Sequence, residues 1–180
     1  FIGRLVGEKG ADKLAAVVYD SFQYIGRRMN FLVLGSGNPE VERGLEIQLG
    51  RANGDYNIYI GYNEALSRLI YAGSDFLLMP SRVEPCGLNQ LYSMRYGTVP
   101  MVRRTGGLKD TVIDFEEPDG YGVCYNHVET GDICQGVWRG IELYRDKKRM
   151  GAIREKMMQL DFDWKTSVKQ YIIGYEQLLK

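Results

Sequence analysis

The sequence has no excess of either charge, since 23 basic residues are matched by 23 acidic residues in a chain of 180. This balance argues against bulk electrostatic binding to nucleic acid or to an anionic membrane surface. No apolar run approaches the length of a membrane span, and no secretory signal is recognisable at the N-terminus. The sequence therefore predicts neither nucleic acid nor a membrane as a partner.

Cysteine and histidine are scarce. The three cysteines, Cys86, Cys124 and Cys134, are odd in number and form no C-x-x-C pair, which favours free thiols in a reducing compartment. His127 is the single histidine and falls in a predicted loop, so the sequence predicts no metal site and no histidine-based catalytic triad. With no basic partner identifiable for Cys86, packing or backbone contact is favoured over nucleophilic catalysis.

Strand-like and helix-like patterns alternate along the chain. Short apolar runs typical of buried strands are followed by segments with apolar residues at helical spacing. The predicted strands are 1–2, 31–34, 56–60, 75–79, 99–102 and 121–125. The predicted helices are 11–28, 39–52, 64–72, 88–96, 106–112, 133–144, 147–158 and 167–179, with a turn at 53–55. This order predicts one α/β domain over residues 1–180, with a Rossmann-like, mostly parallel sheet and helices on both faces.

Glycine-rich or charged loops follow most of these strands. They are 3–10, 35–37, 61–62, 82–87 and 103–107. Because the carboxyl ends of parallel strands lie at one edge of a sheet, we expect these loops to converge on a ligand crevice. Arg4 and Lys9 on the first loop, and Arg103 and Arg104 on the last, stand beside glycines and predict a phosphate site. The alternative is that the arginines are solvated surface charges. Tyr62 could stack on a planar base or be an ordinary, partly buried tyrosine.

Two named phosphate-binding motifs are incomplete. A Walker A loop needs Gly-Lys-Ser/Thr after a four-residue spacer, but Glu8 separates Gly7 from Lys9 here. The dinucleotide-binding fingerprint needs a third glycine at the position of Glu40. These departures argue against a P-loop NTPase and a classical dehydrogenase.

Four motifs, taken together and in order, resemble the C-terminal half of bacterial glycogen synthases and plant starch synthases, which are retaining glycosyltransferases of family 5. They are Arg4-Leu5-Val6-x-x-Lys9-Gly10, Gly61-Tyr62-Asn63-Glu64-Ala65, Pro80-Ser81-Arg82-x-Glu84-Pro85-Cys86-Gly87-Leu88 and Arg103-Arg104-Thr105-Gly106-Gly107-Leu108-x-Asp110-Thr111-Val112. Asp161-Phe162-x-Trp164 resembles the family's final segment. The resemblance spans essentially the whole chain. It implies the C-terminal domain of a GT-B enzyme, in which two Rossmann-like domains flank a cleft, with the N-terminal, acceptor-side domain absent from this sequence.

The resemblance implies transfer of glucose from ADP-glucose to the non-reducing end of an α-1,4-glucan, with retention of configuration and with no metal or other cofactor. Arg4 and Lys9 would bind the diphosphate and stabilise the leaving ADP, and Glu84 would contact the donor glucose. Tyr62 would stack on the adenine. The remaining substrate-binding candidates are Cys86, Gly87, Leu88, Thr105, Gly106 and Gly107.

Two other interpretations stay open. One is another GT-B transferase that uses a UDP- or GDP-sugar, but Tyr92 stands where related families carry a second glutamate, which favours the glycogen and starch branch. The other is a non-catalytic nucleotide-binding domain, which would have no need of Glu84. Asn89 stands where this family usually has threonine, so its side chain is assigned no role. The resemblance also implies a cytoplasmic protein, a last helix that crosses back to the N-terminal domain, and an isolated domain that binds nucleotide weakly without transferring glucose.

Overall fold

The computed structural model describes residues 1–25, 29–51 and 55–179. Within them, parallel strands form two separate sheets, β1-β2 and β3-β4-β5. The strands are β1 (Phe31–Gly35), β2 (Tyr56–Ile60), β3 (Phe76–Met79), β4 (Val99–Arg103) and β5 (Val123–Tyr125). In register, Phe31 lies opposite Tyr56, Phe76 opposite Val99, and Met101 opposite Val123. The predicted parallel α/β arrangement is therefore confirmed, although the sheet is divided.

The division arises at the predicted first strand. Residues 1–2 form no strand of their own, and the N-terminal segment makes isolated parallel bridges from Ile2 to Leu34 of β1 and from Leu5 to Gly37, just beyond β1. A short run with so few ladder partners cannot extend the pairing to β3. The N-terminal segment consequently lies beside β1 without regular strand structure.

The helices alternate with the strands as predicted. They are α1 (Leu14–Asp20), α2 (Pro39–Leu49), α3 (Glu64–Gly73), α4 (Asn89–Arg95), α5 (Gly106–Thr111), α6 (Thr130–Arg145), α7 (Lys147–Met158) and α8 (Trp164–Leu178). Short 3₁₀ turns at Gly7–Lys9 and Ala11–Lys13 precede α1, and a π-helical turn at Ser21–Ile25 follows it. The described part of the predicted helix 11–28 is thus helical without a break from 11 to 25, with its hydrogen bonding changing from 3₁₀ to α to π along the way. The last part of that predicted helix, 26–28, and most of the predicted turn at 53–55 lie outside the described residues.

Polar side chains fix several helix starts. Asn38 accepts a hydrogen bond from the Glu40 amide at 2.8 Å ahead of α2, and Asn63 accepts one from the Leu66 amide at 2.9 Å ahead of α3. Asp163 caps α8 by accepting from the Lys165 amide. This cap explains why α8 begins at Trp164, earlier than the helical period predicts.

Helices cover both faces of the three-stranded sheet. Along β3, Leu78 packs into a core with residues of α1 and α6, whereas Leu77 and Met79 pack into a second core on the opposite face. The second core includes Tyr71 of α3 and Leu108 of α5. Because β3 and β4 are buried on both faces, their sequences are nearly continuous apolar runs. The sheet is thereby fixed as a central layer, with its loops at one edge. No helix among the described residues is long and apolar enough to cross a membrane.

Candidate functional site

A crevice runs along the edge where the strands end. Its larger part is a cavity of about 660 Å³ between the N-terminal segment, the ends of β1 and β2, and helices α3 and α4. A second cavity of about 350 Å³ extends towards the loop that follows β3. The two cavities adjoin, since Ile2, Gly3, Arg4 and Asn89 line both, and together they are called the crevice below. Loops from both sheets thus converge, as the parallel arrangement predicts.

Tyrosines line the larger cavity. Tyr62 follows β2, and its ring is 86% exposed. Deeper in the cavity, Tyr71 stacks on Tyr96 with ring centroids 5.9 Å apart and meets Tyr92 edge-on at 6.2 Å. Burial, with a smaller contribution from Tyr92, raises the pKa of Tyr71 to about 12, so this phenol stays neutral. The cavity therefore offers aromatic surface for a planar group. Sequence reasoning missed Tyr71 and Tyr96, although the spacing of Tyr92 and Tyr96 places both on one side of a helix.

The smaller cavity contains a cation and a carboxylate in contact. Lys9 Nζ donates to Glu84 Oε2 at 2.6 Å, and Ser81 Oγ donates to the same oxygen at 3.1 Å. Glu84 is 7% exposed and Ser81 is 2% exposed, so the carboxylate is held by hydrogen bonds in a nearly closed environment. Sequence reasoning identified Lys9 and Glu84 but missed Ser81, because a serine in a loop carries no pattern of its own.

Arg4 lies where the two cavities meet. It lines both of them, and its side chain is 67% exposed with an ion pair to Glu8 at 3.4 Å. An exposed pair of this kind holds a guanidinium weakly. Arg4 is thus accessible to an anion lying between the tyrosines and Glu84.

The wall of the smaller cavity depends on buried amide groups. Gln90 Nε2 donates to the carbonyls of Cys86 and Gly87, at 3.0 Å each, and Gly87 adopts a φ of 77° that favours glycine. Gly87 and Leu88 line the cavity. Asn89 Nδ2 donates to the Ile2 carbonyl at 2.7 Å, which joins α4 to the N-terminal segment. Asn89, to which the sequence analysis assigned no role, therefore makes a structural hydrogen bond at the crevice.

The first two residues of α5 pack closely against the Glu84 loop. A Cβ on Gly106 would lie 2.2 Å from the Glu84 carbonyl oxygen, and one on Gly107 would lie 2.1 Å from that of Cys86. The Gly107 amide donates to the Glu84 carbonyl at 3.0 Å. Neither glycine lines the two cavities, and the same holds for Thr105. These residues shape the pocket by fixing its loop, and a direct contact with substrate stays a prediction for them.

Cys86 also lies outside the lining of both cavities. It is exposed, and its thiol lies 3.5 Å from the Gly87 carbonyl oxygen. Its expected contribution through the backbone of the loop stays a prediction.

The arginines at the end of β4 do not form the predicted phosphate site. Arg103 donates through Nε to the Ser81 carbonyl at 2.8 Å and through Nη2 to the Arg82 carbonyl at 2.6 Å. Arg104 pairs with Glu117. Arg103 therefore fixes the loop that carries Glu84, and neither arginine lines the crevice. The sequence could not show this, because it does not reveal which carbonyls fold back onto a guanidinium.

The chemistry of the crevice comes from cations, a carboxylate and aromatic rings. Within residues 1–25, 29–51 and 55–179, no group of three histidine, cysteine or acidic residues is placed to hold a metal ion. The positive charge at the crevice is that of Arg4, Lys9 and Arg68, of which Arg68 is paired with Glu64. The arrangement suits a ligand with a planar group, an anionic linker and a hydroxylated end.

Comparison with known proteins places the sequence among glycosyltransferases. The chain is 49% identical over 180 residues to a glycogen synthase of Flavobacterium johnsoniae, covering 100% of this chain and 38% of that protein. It is 39% identical over 179 residues to a glycogen synthase of Rhodospirillum rubrum, covering 99% of this chain and 36% of that protein. The chain thus spans little more than a third of the length of these curated relatives.

Solved structures agree with the fold. The catalytic domain of starch synthase IV from Arabidopsis thaliana, bound to ADP and acarbose, matches with a TM-score of 0.85 and 33% identity over 98% of this chain and 37% of that chain. A sucrose-phosphate synthase from Thermosynechococcus elongatus matches with a TM-score of 0.70 and 22% identity over 99% of this chain and 45% of that chain, which supports the fold alone. Residues 1–155 match the family described as glycosyl transferases group 1. The chain belongs to this family.

Proposed function

We propose that this chain is the donor-binding part of a retaining, cytoplasmic glycogen or starch synthase that transfers glucose from ADP-glucose to an α-1,4-glucan. The observation that carries the proposal is the Lys9–Glu84 pair, with its 2.6 Å hydrogen bond, at one end of a crevice whose other end is lined by tyrosines. Aromatic rings, cations and a carboxylate occur in the order in which a nucleotide sugar presents its base, diphosphate and sugar. A volume of about 660 Å³ for the larger cavity is within the usual range for sites of this kind.

Each group has a role that follows from its chemistry. The exposed ring of Tyr62 provides a stacking surface for adenine. Arg4 and Lys9 bind the diphosphate by charge-assisted hydrogen bonds and offset the charge that develops on the leaving ADP. Glu84, oriented by Ser81, accepts hydrogen bonds from hydroxyls of the donor glucose. The backbone of Gly87 and Leu88 closes the sugar end of the crevice.

The relatives support a glucan synthase and an adenine nucleotide. The matched proteins from Flavobacterium johnsoniae and Rhodospirillum rubrum are glycogen synthases, and the matched starch synthase IV was solved with ADP. Because this chain spans about 38% of the first relative, the acceptor glucan would be bound with a further, N-terminal domain. The isolated chain would then bind nucleotide and transfer no glucose.

The alternatives differ in base and in chemistry. A transferase that uses a UDP- or GDP-sugar would keep the cations and change the base preference. A non-catalytic nucleotide-binding domain would need Arg4 and Lys9 but not Glu84. Keeping an ionised carboxylate nearly buried is unfavourable unless it is paired, and Lys9 and Ser81 supply that pairing. This arrangement favours an enzyme.

Calorimetric titration with ADP, ADP-glucose and UDP tests the proposal. We expect ADP to bind more tightly than UDP, and Arg4→Ala or Lys9→Ala to weaken ADP binding by a factor of about ten or more, since each charged hydrogen bond contributes about 1.5–3 kcal/mol. The matched control is Lys156→Ala on α7, which breaks an exposed ion pair with Asp119. Equal affinity for ADP and UDP would favour the other transferases. Unchanged affinity in both crevice variants would contradict the diphosphate site.

A further inference from the structure

Lys9 and Glu84 come from two different loops whose backbones are in direct contact. The amides of Arg82 and Val83 donate to the Glu8 carbonyl at 2.8 and 3.2 Å. Gly10 adopts a φ of 67°, and a Cβ there would lie 2.0 Å from the Pro80 carbonyl oxygen. The turn that carries Lys9 and the loop that carries Glu84 are therefore aligned by their main chains.

One ion pair fastens this alignment from the outside. Arg82 donates through Nη1 to Asp12 Oδ1 at 2.5 Å and through Nη2 to Asp12 Oδ2 at 2.8 Å. Its Nη1 also donates to the Gly7 carbonyl at 2.5 Å. The guanidinium thus holds the segment around Lys9 at both ends, with the two parallel bonds that a planar fork makes to a carboxylate.

The exposure of this pair limits what it adds to stability, whereas its two parallel bonds fix its geometry. Both side chains are 38% exposed, so solvent screens their charges. Neither Asp12 nor Arg82 lines the crevice. The hydrogen bonds from Arg82 nevertheless lower the pKa of Asp12, the net result after opposing burial, so the carboxylate stays ionised and paired at neutral pH. The role left for the pair is to fix the position of the segment that carries Lys9 relative to the loop that carries Glu84.

We propose that the Asp12–Arg82 pair is a positioning device that sets Lys9 Nζ at its place beside the Glu84 carboxylate, so that the cation meets the diphosphate while the carboxylate meets the sugar. The inference rests on the proposed function, because it takes Lys9 as a diphosphate ligand. The inference adds Asp12 and Arg82 to the site as residues that act only by positioning Lys9. Small displacements of such groups weaken a site strongly, by up to about a hundredfold for a shift of 1 Å.

A double-mutant cycle with Lys9 tests the proposal. Asp12→Asn removes the charge at nearly constant volume, and Arg82→Lys keeps the charge but loses the fork. We expect either variant to weaken ADP binding about tenfold in the otherwise native chain, and by less than about twofold in a Lys9→Ala background. An equal loss in both backgrounds would mean that the pair does not act through Lys9, and it would overturn the proposal.

The control is an ion pair of the same chemistry away from the crevice. Arg154 donates to Asp75 Oδ1 at 2.6 Å, with side chains 35% and 48% exposed. Asp75→Asn is expected to leave ADP affinity within about twofold of the native value, since this pair joins the residue before β3 to α7 and not the two loops of the crevice. A tenfold loss in this variant would show that any broken ion pair perturbs the site, and would overturn the specific role of Asp12.

A ligand-free measurement separates this proposal from the proposed function. Hydrogen exchange of the Arg82 and Val83 amides, which donate to Glu8, should accelerate in Asp12→Asn while exchange in α7 stays unchanged. If the native chain binds no ADP, the diphosphate site fails, whereas faster exchange at these amides still supports the link between the loops. Unchanged exchange in Asp12→Asn would overturn it.

Discussion

Single residues at the crevice act mainly by fixing backbone. Arg103 donates to the carbonyls of Ser81 and Arg82, and the start of α5 approaches the Glu84 loop so closely that only glycine fits at position 107. Charged and small residues thus serve as supports for a loop whose own contacts with a ligand come from few atoms. Substitutions that add a single methyl group should reveal this dependence.

Gly107→Ala should destabilise the chain by about 1–3 kcal/mol, because the new methyl group would overlap the Cys86 backbone. Gly151→Ala, in α7 with no atom within 4 Å of the added Cβ, should instead stabilise by about 0.5–1 kcal/mol through helix propensity. Urea denaturation of both variants measures the difference. Equal effects at the two positions would contradict the close approach described here.

Asp114 should govern part of the acid sensitivity. Its burial raises the pKa, but hydrogen bonds from Arg139 and from the Cys124 and Glu116 amides outweigh burial and hold the pKa below its usual value of 3.8. Because the pKa of Asp114 is lower in the folded chain than in the unfolded chain, the group adds stability at pH values above its unfolded-state pKa. That stability is lost as the pH falls from about 5 through its folded-state pKa. Asp114→Asn should be less stable at neutral pH, since Arg139 loses a buried partner, and should lose less further stability on acidification. Denaturant titrations at several pH values measure both slopes; parallel slopes would contradict the assignment.

Motif residues and their supports differ in how far sequence could identify them. Arg4, Lys9 and Glu84 stand in recognisable motifs, and the structure brings all three to one crevice. The supports of Glu84, such as Ser81 and Arg103, depend on contacts between loops far apart in the chain. No local pattern encodes such contacts, so they could not be predicted.

Among the elements, α8 is unusual in exposing apolar side chains along its length. They include Trp164, Val168, Tyr171, Ile172, Tyr175 and Leu178. These positions follow a helical period, which is the pattern of a face that packs against another surface. The expected crossing of this helix to another domain stays a prediction, and its apolar face fits such a role.

Substitutions on that face should leave the stability of this chain nearly unchanged. Ile172→Ser, at a side chain that is 50% exposed, should alter the free energy of unfolding by less than about 0.5 kcal/mol. Ile153→Ala in α7, where the side chain is 6% exposed, should cost about 2–5 kcal/mol. Urea denaturation compares the two. A large loss at Ile172 would mean that α8 packs on this chain more closely than its exposure indicates.

The strands were predicted almost to the residue wherever an apolar run is buried on both faces, as in β3 and β4. The helix predicted for 11–28 is continuous over its described part, 11–25, but only Leu14–Asp20 is α-helical, because 3₁₀ and π-helical turns share its apolar spacing while differing in hydrogen bonding. The predicted strand at 1–2 is present only as an isolated parallel bridge from Ile2 to Leu34, and the length of such pairing is not shown by a periodicity. Local pattern thus determined the type of most elements and tertiary pairing decided the rest.

At the scale of the whole molecule, the chain spans 38% of the length of the glycogen synthase from Flavobacterium johnsoniae. We expect the chain alone to bind ADP and to transfer no glucose from ADP-glucose to a glucan. Radiolabel incorporation into the glucan measures transfer. The Flavobacterium johnsoniae relative at full length is the positive control, and measurable elongation by the present chain alone would contradict the division of labour proposed here.

The separation of the strands into two sheets affects how firmly the two ends of the crevice are held relative to each other. Tyr62 follows a strand of one sheet and Glu84 follows a strand of the other, while no ladder among the described residues joins them. The spacing between the two ends of the ligand site is therefore maintained by loops and by side-chain packing in the shared core, and not by a ladder of backbone hydrogen bonds between the sheets. On warming, the chain should lose its affinity for nucleotide before it loses its helices and strands. A nucleotide bound in contact with residues of both sheets would raise the melting temperature of the chain.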